Sequence, residues 1–422
     1  MNIQEYLDSF FAGTKDPSLD AMQYFMNKLG SPEESLKFIH VAGTNGKGSC
    51  TEMISNVLIN SGYKVGKFTS PHLIKYNERI SINNKNITDN ELEQLIKKLK
   101  PLVEEYNSLH ELNVTLFELE TTMAILYFYE NKCDIIVLET GLGGLYDCTN
   151  IVNPLVSIIT SIGYDHMNIL GNTLLEIAEQ KAGIIKENSE TVMPMQESEV
   201  NNLIKRTCKE KNNQLHFVKE EDILNYSYDE NFQKFDYKNY KNICINLKGQ
   251  KQIINTSVCI ECIEVLKRKG YNISEEVMRN SLKTVVHKGR FEEISKNPTI
   301  IYDGAHNKPA IENLVNSIYM YYKNKKKIYI FSILKTKDYK SVLQELLKDE
   351  EGTFIFTDGN SKDYVEKEDL LEFAKNCTKN KNLYAKELKE AIQFSKKEYA
   401  DAIIFIVGSF YIYGDVIKII KE

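Results

Sequence analysis

Residues 40–50 read His40-Val41-Ala42-Gly43-Thr44-Asn45-Gly46-Lys47-Gly48-Ser49-Cys50. An apolar run at 37–42 (KFIHVA) leads in, a glycine-rich turn follows, and SCTEMISNVLIN at 49–60 has a helical pattern. Strand, glycine turn and helix in that order suit a phosphate loop. Glycines let the backbone fold close to a polyphosphate, and the helix start offers unpaired N–H groups and the positive end of its dipole. Lys47 adds a point charge for the β and γ oxygens, and Ser49 a hydroxyl on the metal side. The spacing departs from the common G-x-x-x-x-G-K-[ST]. Only two residues separate Gly43 from Gly46, and Gly48 stands between Lys47 and Ser49. The competing reading is a plain strand-to-helix turn that happens to hold three glycines and a lysine.

Outward from this loop, short apolar runs recur at 64–69, 134–139, 155–162 and 191–195, with helical patterns at 115–129 and 173–185. Strands alternating with helices imply a mostly parallel sheet covered on both faces. The alternation restarts with runs at 299–303, 327–334, 353–357 and 402–407, separated by helical stretches such as 309–322 and 338–347. The expected fold is therefore α/β. A large N-terminal P-loop domain with a mostly parallel sheet flanked by helices spans 1–290, and a smaller C-terminal Rossmann-like α/β domain spans 291–422. The boundary falls near 286–297, VHKGRFEEISKN. The segment 2–37 reads as polar and helical, with Ser31 capping a helix that has Pro32 in its first turn. The Tyr-, Asn- and Lys-rich part at 215–250 reads as short β structure and loops.

A chain of 422 residues with 42% hydrophobic residues can fill more than one core. The formal charge of -6 gives no basic field for nucleic acid, so acidic substrates need local positive sites. No basic leader precedes an apolar stretch, and no run of about 18 apolar residues exists, so neither secretion nor a membrane span is expected. The eight cysteines are scattered. Cys259 and Cys262 form a C-x-x-C inside a helical pattern with no second pair or histidine nearby, which favours plain thiols over zinc or redox work. The expected compartment is a reducing cytoplasm.

Further polar clusters sit at the predicted carboxyl ends of strands, where parallel sheets bind ligands. Glu139 ends one run and leads into a glycine-rich loop; a carboxylate beside a phosphate loop is a usual way to hold Mg²⁺. Asp165 and His166 follow the run at 155–162, and Lys181 lies on the helix beyond. Ser70-Pro71 ends another run, with Arg79 in the loop after it. In the second domain Asp303, His306 and Asn307 crowd the end of 299–303.

With these residues assembled, the chain resembles the folylpolyglutamate synthase/dihydrofolate synthase family of Mur-type ATP-dependent amide ligases. The likeness runs through LKFIHVAGTNGKGS, TSPHL, NERI, ETGLGGLYDCTN, IGYDHMNILGNT, EQKAGI, KGRFE, YDGAHN and GSFYI, in that order. The short loop G-T-N-G-K-[GST] is this family's own form. The resemblance implies that ATP is held by Gly43, Thr44, Asn45, Gly46, Lys47, Gly48 and Ser49, with Asn255 near the adenine and Arg290 and Asp303 reaching the nucleotide. It implies Mg²⁺ around Ser70, Glu139 and His166, and catalytic roles for Lys47, His166 and Lys181. Lys181 matches a lysine often carbamylated in the family, which would turn a cation into an anion. Arg79 is a candidate on the folate side, and His306 shares the YDGAHN motif as a substrate-side candidate. Three local departures stand out: Gly144-Leu145-Tyr146-Asp147 for G-G-R-L-D, Lys251 for a histidine, and His287-Lys288-Gly289 for Trp-Pro-Gly.

The implied reaction adds L-glutamate to a dihydropteroate or a tetrahydrofolate (poly)glutamate. The γ-phosphoryl of ATP moves to the carboxylate, the amine of glutamate attacks the acyl phosphate, and phosphate leaves. The expected partners are small molecules, with no nucleic acid and no membrane, and the expected state is a monomer. One alternative is a Mur-type ligase acting on a non-folate carboxylic acid, against which the match at 114–120 (VTLFELE) argues. Another is a nucleotide-binding regulatory protein without chemistry, which would show a broken lysine or metal set.

Overall fold

The computed structural model describes residues 3–10, 18–359, 361–399 and 401–422. Strands covered on both faces need apolar side chains at every position. Phe38–Ala42, Ile135–Glu139 and Ile403–Val407 are buried along their whole length and meet that need at every position but His40 and Glu139. The chain divides into two compact units. The first comprises Met1–Tyr226, Lys234–Cys244 and Ile254–Val285; the second comprises Ser227–Gln233, Ile245–Ile253 and Val286–Glu422.

The large sheet of the first unit holds β1 (Phe38–Ala42), β2 (Val65–Phe68), β3 (Ile80–Ile82), β4 (Lys85–Asn86), β5 (Ile135–Glu139), β6 (Val156–Ile159), β7 (Glu190–Pro194) and β8 (Gln214–Val218). Their order is β4-β3-β2-β5-β1-β6-β7-β8. All neighbours are parallel except the β2-β3-β4 edge. One face carries a core of Phe38, Phe68, Ile136 and Leu138 with side chains of three helices, Asp20–Leu29, Asp89–Leu109 and Leu116–Glu130. Another core joins Ala42, Ile159 and Met193 to helices Leu174–Ala182 and Ser198–Glu210.

The helices start where side chains can cap them. Thr88 with Glu91, Thr115 with Glu118 and Thr173 with Glu176 are reciprocal capping boxes. Helix Leu116–Glu130 is buried from Glu118 through Phe128, so it has no single apolar stripe. It lies close enough to β2 that a Cβ on Gly66 would fall 2.7 Å from the Phe128 ring. Glycine at that strand position is what admits the helix.

The region after β8 forms β9 (Ile223–Tyr228), β10 (Gln233–Tyr237) and β11 (Tyr240–Ile245), a small sheet ordered β11-β10-β9. The second unit has β12 (Glu292–Lys296), β13 (Thr299–Asp303), β14 (Lys327–Phe331), β15 (Thr353–Phe356), β16 (Leu383–Ala385) and β17 (Ile403–Val407). Its order is β12-β13-β17-β14-β15-β16, parallel except where β12 meets β13.

Two local expectations change. Ser31 does not cap a helix: it has φ 53, makes no side-chain cap bond, and precedes a single 3-10 turn, Pro32–Ser35. A left-handed serine closes the end of the previous helix instead, where its amide reaches Met26 O at 2.8 Å. Of the helical stretch expected at 2–37, Asn2 and residues 11–17 lie outside the described residues. Cys259 and Cys262 are buried thiols on helix Gln250–Arg268, and all eight cysteines are free. Among the described residues, no helix is long and apolar enough to cross a membrane.

Candidate active site

Four neighbouring parallel strands, β2-β5-β1-β6, point their carboxyl ends the same way. Their loops are 69–79, 140–147, 43–46 and 160–166. Sheet order therefore gathers on one edge sequence clusters of the first unit that are spread over more than a hundred residues of the chain.

The loop after β1 is shaped by the loop after β6. Thr44 N donates to Ser161 O at 2.7 Å, and Thr44 Oγ1 bonds both Gly163 O and Gly163 N at 3.0 Å. Asn45 O accepts from Thr160 Oγ1 at 2.7 Å and Ser161 Oγ at 3.0 Å. The fit leaves no room at Gly43, where a Cβ would fall 1.7 Å from Thr160 Oγ1. Gly46, with φ 95, begins helix Lys47–Asn60, and no side chain caps that start. A Cβ there would fall 2.7 Å from Asn255 Oδ1, so Asn255 packs against the loop. Uncapped amides, a positive dipole end and Lys47 fit a polyphosphate. Lys47 Nζ donates to Gly43 O at 3.0 Å, so its charge lies over the loop's own backbone. Ser49 is buried at the first turn. Thr44 spends its amide and hydroxyl on the neighbouring loop and acts as scaffold.

Glu139 closes β5, buried, with the next amide, Thr140 N, on Val41 O at 2.9 Å. Ser70 follows β2 and is half-buried. His166 has φ 49 and an exposed ring whose Nε2 lies 3.7 Å from Asp165 Oδ1. A hydroxyl and a carboxylate are hard donors of the kind that suit Mg²⁺. Among the described residues, the group of three or more acidic, His or Cys side chains close enough to share an ion is Asp358, Glu366 and Glu368 in the second unit. There Lys367 already pairs Asp358 at 3.1 Å.

Lys181, on helix Leu174–Ala182, is 3% exposed. Burial and the like charge of Lys47 lower its pKa to about 7, against the pull of Asp165 and Asp147. Its helix end is packed against the glycine loop. Leu145 N donates to Gln180 O at 2.6 Å, and a Cβ on Gly183 would fall 2.2 Å from Leu145 Cα.

Asp147 anchors that loop from beneath. Its carboxylate accepts from Leu142 N at 2.7 Å and Thr149 N at 3.1 Å. Burial raises its pKa, and these bonds with those from Thr149 Oγ1 and Gly141 N oppose the rise. Since Thr149 Oγ1 gives its proton to Asp147, it accepts from His40 Nε2 at 2.7 Å. His40 is thus the neutral Nε2–H tautomer, and its buried Nδ1 has no partner. Burial, assisted by the charge of Lys186, lowers its pKa from 6.5 to about 3.

Arg79 ends a 3-10 turn, Tyr76–Arg79. Its Nη1 pairs buried Glu120 at 3.0 Å and its Nε donates to His72 Nδ1 at 3.0 Å. The guanidinium is committed to protein partners rather than open to solvent. His72 is thereby another Nε2–H tautomer, its pKa lowered to about 4 by burial and then by Arg79. Motif reading passed over both histidines, although their place beside TSP and in β1 was visible.

In the second unit, Asp303 closes β13 and accepts from Phe291 N and Ala305 N, both at 2.8 Å. Burial raises its pKa and Arg290 opposes this. His306 Nδ1 bonds Gly304 O at 2.8 Å. Phe410, in the GSFYI motif, has Arg290 Cζ 4.3 Å from its ring centre and the His306 ring 5.7 Å away. The motif was legible, but no role was read for this residue.

The family pattern of the Mur ligase middle domain matches residues 41–263, and that of the dihydrofolate synthetase C-terminal domain matches 287–419. A Bacillus subtilis protein named dihydrofolate synthase/folylpolyglutamate synthase is 36% identical over 414 residues, 96% of this chain and 95% of its own. A Saccharomyces cerevisiae dihydrofolate synthetase is 34% identical over 344 residues, 78% of each chain. The solved Mycobacterium tuberculosis folylpolyglutamate synthase, complexed with ADP and AMPPCP, superposes with a TM-score of 0.90 at 25% identity, covering 100% of this chain and 98% of that one.

His40 makes the fold pH-sensitive. The unfolded chain binds a proton there near 6.5, and the folded one not until about 3. Its contribution to stability is complete above 6.5 and declines as pH falls toward 3, by up to about 1.4 kcal/mol per pH unit. Urea unfolding between pH 6.5 and 5 should show a shallower loss for His40→Gln than for the parent; equal slopes would refute the assignment.

Proposed function

The chain belongs to the dihydrofolate synthase/folylpolyglutamate synthase family, and from that premise we propose that it uses ATP to join L-glutamate to the carboxylate of a pteroate or folate. The main support is the loop at 43–49 beside Glu139 and buried Lys181, on the edge shared by four strands. A carboxylate resists attack because its charge repels a nucleophile and oxide leaves poorly. Transfer of the γ-phosphoryl group makes an acyl phosphate. The glutamate amine then attacks the acyl carbon, and phosphate departs as the amide forms.

In this reading Gly43, Gly46 and Gly48 let the backbone follow the polyphosphate, and Lys47 offsets charge on the transferring group. Ser70, Glu139 and His166 would hold Mg²⁺, which when bound neutralises charge on the β and γ oxygens. Asn255, which packs on Gly46, lies against the adenine side. Arg290 and Asp303 are proposed for the nucleotide and His306 for the substrate. Arg79 serves the folate side indirectly, because its guanidinium is held by Glu120 and His72. Eight unpaired cysteines support a reducing cytoplasm as its location.

Lys47→Ala should lower glutamate-dependent ADP release by about a hundredfold or more, assayed in parallel with dihydropteroate and with tetrahydrofolate. Turnover with one acid or both identifies the substrate. No turnover of either by the parent would favour the non-folate ligase, and near-parental turnover by the variant would remove Lys47 from the phosphate site.

We also propose that Lys181 is carbamylated. Its neutral amine would attack carbon dioxide and release a proton, replacing a buried cation with an anion. Support comes from its burial and from the like charge of Lys47, a setting hostile to an ammonium. In labelled bicarbonate near neutral pH, carbon NMR should show a carbamate signal that Lys181→Ala lacks. A parent spectrum without that signal would exclude the modification.

A further inference from the structure

The turn after β17 is held on both sides of Phe410. Gly408 has φ 108, and a Cβ there would fall 2.1 Å from Ser332 O. Tyr302 Oη donates to Ser409 O, and the Tyr364 hydroxyl bonds Ser409 Oγ at 2.9 Å. Ser409 Oγ also accepts from Tyr411 N at 3.2 Å, and Tyr413 N donates to Phe410 O at 3.1 Å. A turn pinned this way presents the Phe410 ring in one place.

Two segments of the second unit, at Arg290 and at 304–306, meet on that ring. The Arg290 guanidinium carbon is 4.3 Å from its centre, within reach of a cation–π contact. A Cβ on Gly304 would fall 2.3 Å from its edge, so glycine is required for the ring to sit there. The His306 ring meets it edge-on, at 5.7 Å and 74°. Asp303 does the complementary task for the backbone. By accepting from Phe291 N it fixes the point at which Arg290 leaves the chain. An arginine has several rotatable bonds beyond that point; the Asp303 charge draws the guanidinium, and the ring face gives it a flat surface to lie on.

We propose that Phe410 is a positioning residue that holds the Arg290 guanidinium in the orientation that serves the nucleotide. The proposal rests on the reading of Arg290 as a nucleotide contact. Phe410 touches no reacting atom; it acts by sparing Arg290 a search among rotamers when ATP binds. Losing the ring should therefore weaken apparent ATP affinity more than it slows saturated turnover.

The test measures KM for ATP and kcat in Phe410→Leu, Phe410→Tyr, Arg290→Ala and the double variant Phe410→Leu/Arg290→Ala, with urea midpoints taken for each. In Phe410→Leu the KM for ATP should rise roughly two- to fivefold with kcat nearly unchanged. Phe410→Tyr, which keeps an aromatic face, should restore most of the affinity, and the double variant should match Arg290→Ala. An unchanged KM in Phe410→Leu, or an equal further rise on the Arg290→Ala background, would overturn the proposal. If Arg290→Ala itself leaves KM for ATP unchanged, the nucleotide role of Arg290 fails and the proposal falls with it. A loss in Phe410→Leu confined to the urea midpoint would mark the ring as structural and likewise refute it.

Discussion

The hydrogen bonds between the loop after β1 and the loop after β6 set the rest of the site. Gly43 and Gly46 contribute no side chains, so the turn at 43–46 cannot hold itself in shape. Thr44 and Asn45 supply the anchors, bonding Ser161, Gly163 and Thr160. That stapling works only because β1 and β6 are parallel neighbours in register, with Ala42 opposite Ile159. It turns the start of helix Lys47–Asn60 toward the sheet edge, where amides and Lys47 can meet an anion. Each glycine is then fixed by what surrounds it: Thr160 excludes a side chain at Gly43, and Asn255 excludes one at Gly46.

A chain of net charge -6 must gather positive charge locally to handle anionic reactants. Lys47 is placed to do this at the phosphate loop, and its charge together with burial disfavours an ammonium at Lys181. Asp147 is not available as a free counter-charge, because backbone amides and Thr149 occupy its oxygens. That carboxylate fixes the glycine loop, and the loop in turn packs on the helix end that bears Lys181. Neutral His40 completes the support without adding charge. The same economy recurs around Arg79, which balances Glu120 and leaves His72 neutral.

The sheet-forming runs were legible because parallel strands buried on both faces must be apolar throughout. Predicted and observed positions agree for β1, β2, β5, β6 and β7, and again for β13, β14, β15 and β17. The edge strands β4 and β12 were not foreseen, since they carry mostly polar residues and lack that signature, and β3 and β16, at three residues each, are too short to show one. Helix Asp89–Leu109 was also passed over, although Thr88 and Glu91 spell a capping box and Leu92, Leu95, Ile96 and Leu99 follow helical spacing. The site's glycines, lysines and acids could be read from motifs. What could not be read were pairings between distant segments. Neither Arg79 with Glu120 nor Arg290 over Phe410 leaves a periodic trace, because tertiary packing alone creates them.

The central claim is that this sheet edge activates a carboxylate by phosphorylating it. Isotope transfer tests that claim most directly. A pteroate or folate substrate carrying heavy oxygen in its reacting carboxylate is turned over with ATP and L-glutamate, and the released phosphate is analysed by mass spectrometry. The account predicts that one heavy oxygen per turnover appears in inorganic phosphate, carried there when the acyl phosphate is cleaved. Amide formation with unlabelled phosphate, or with the label in AMP, would contradict it.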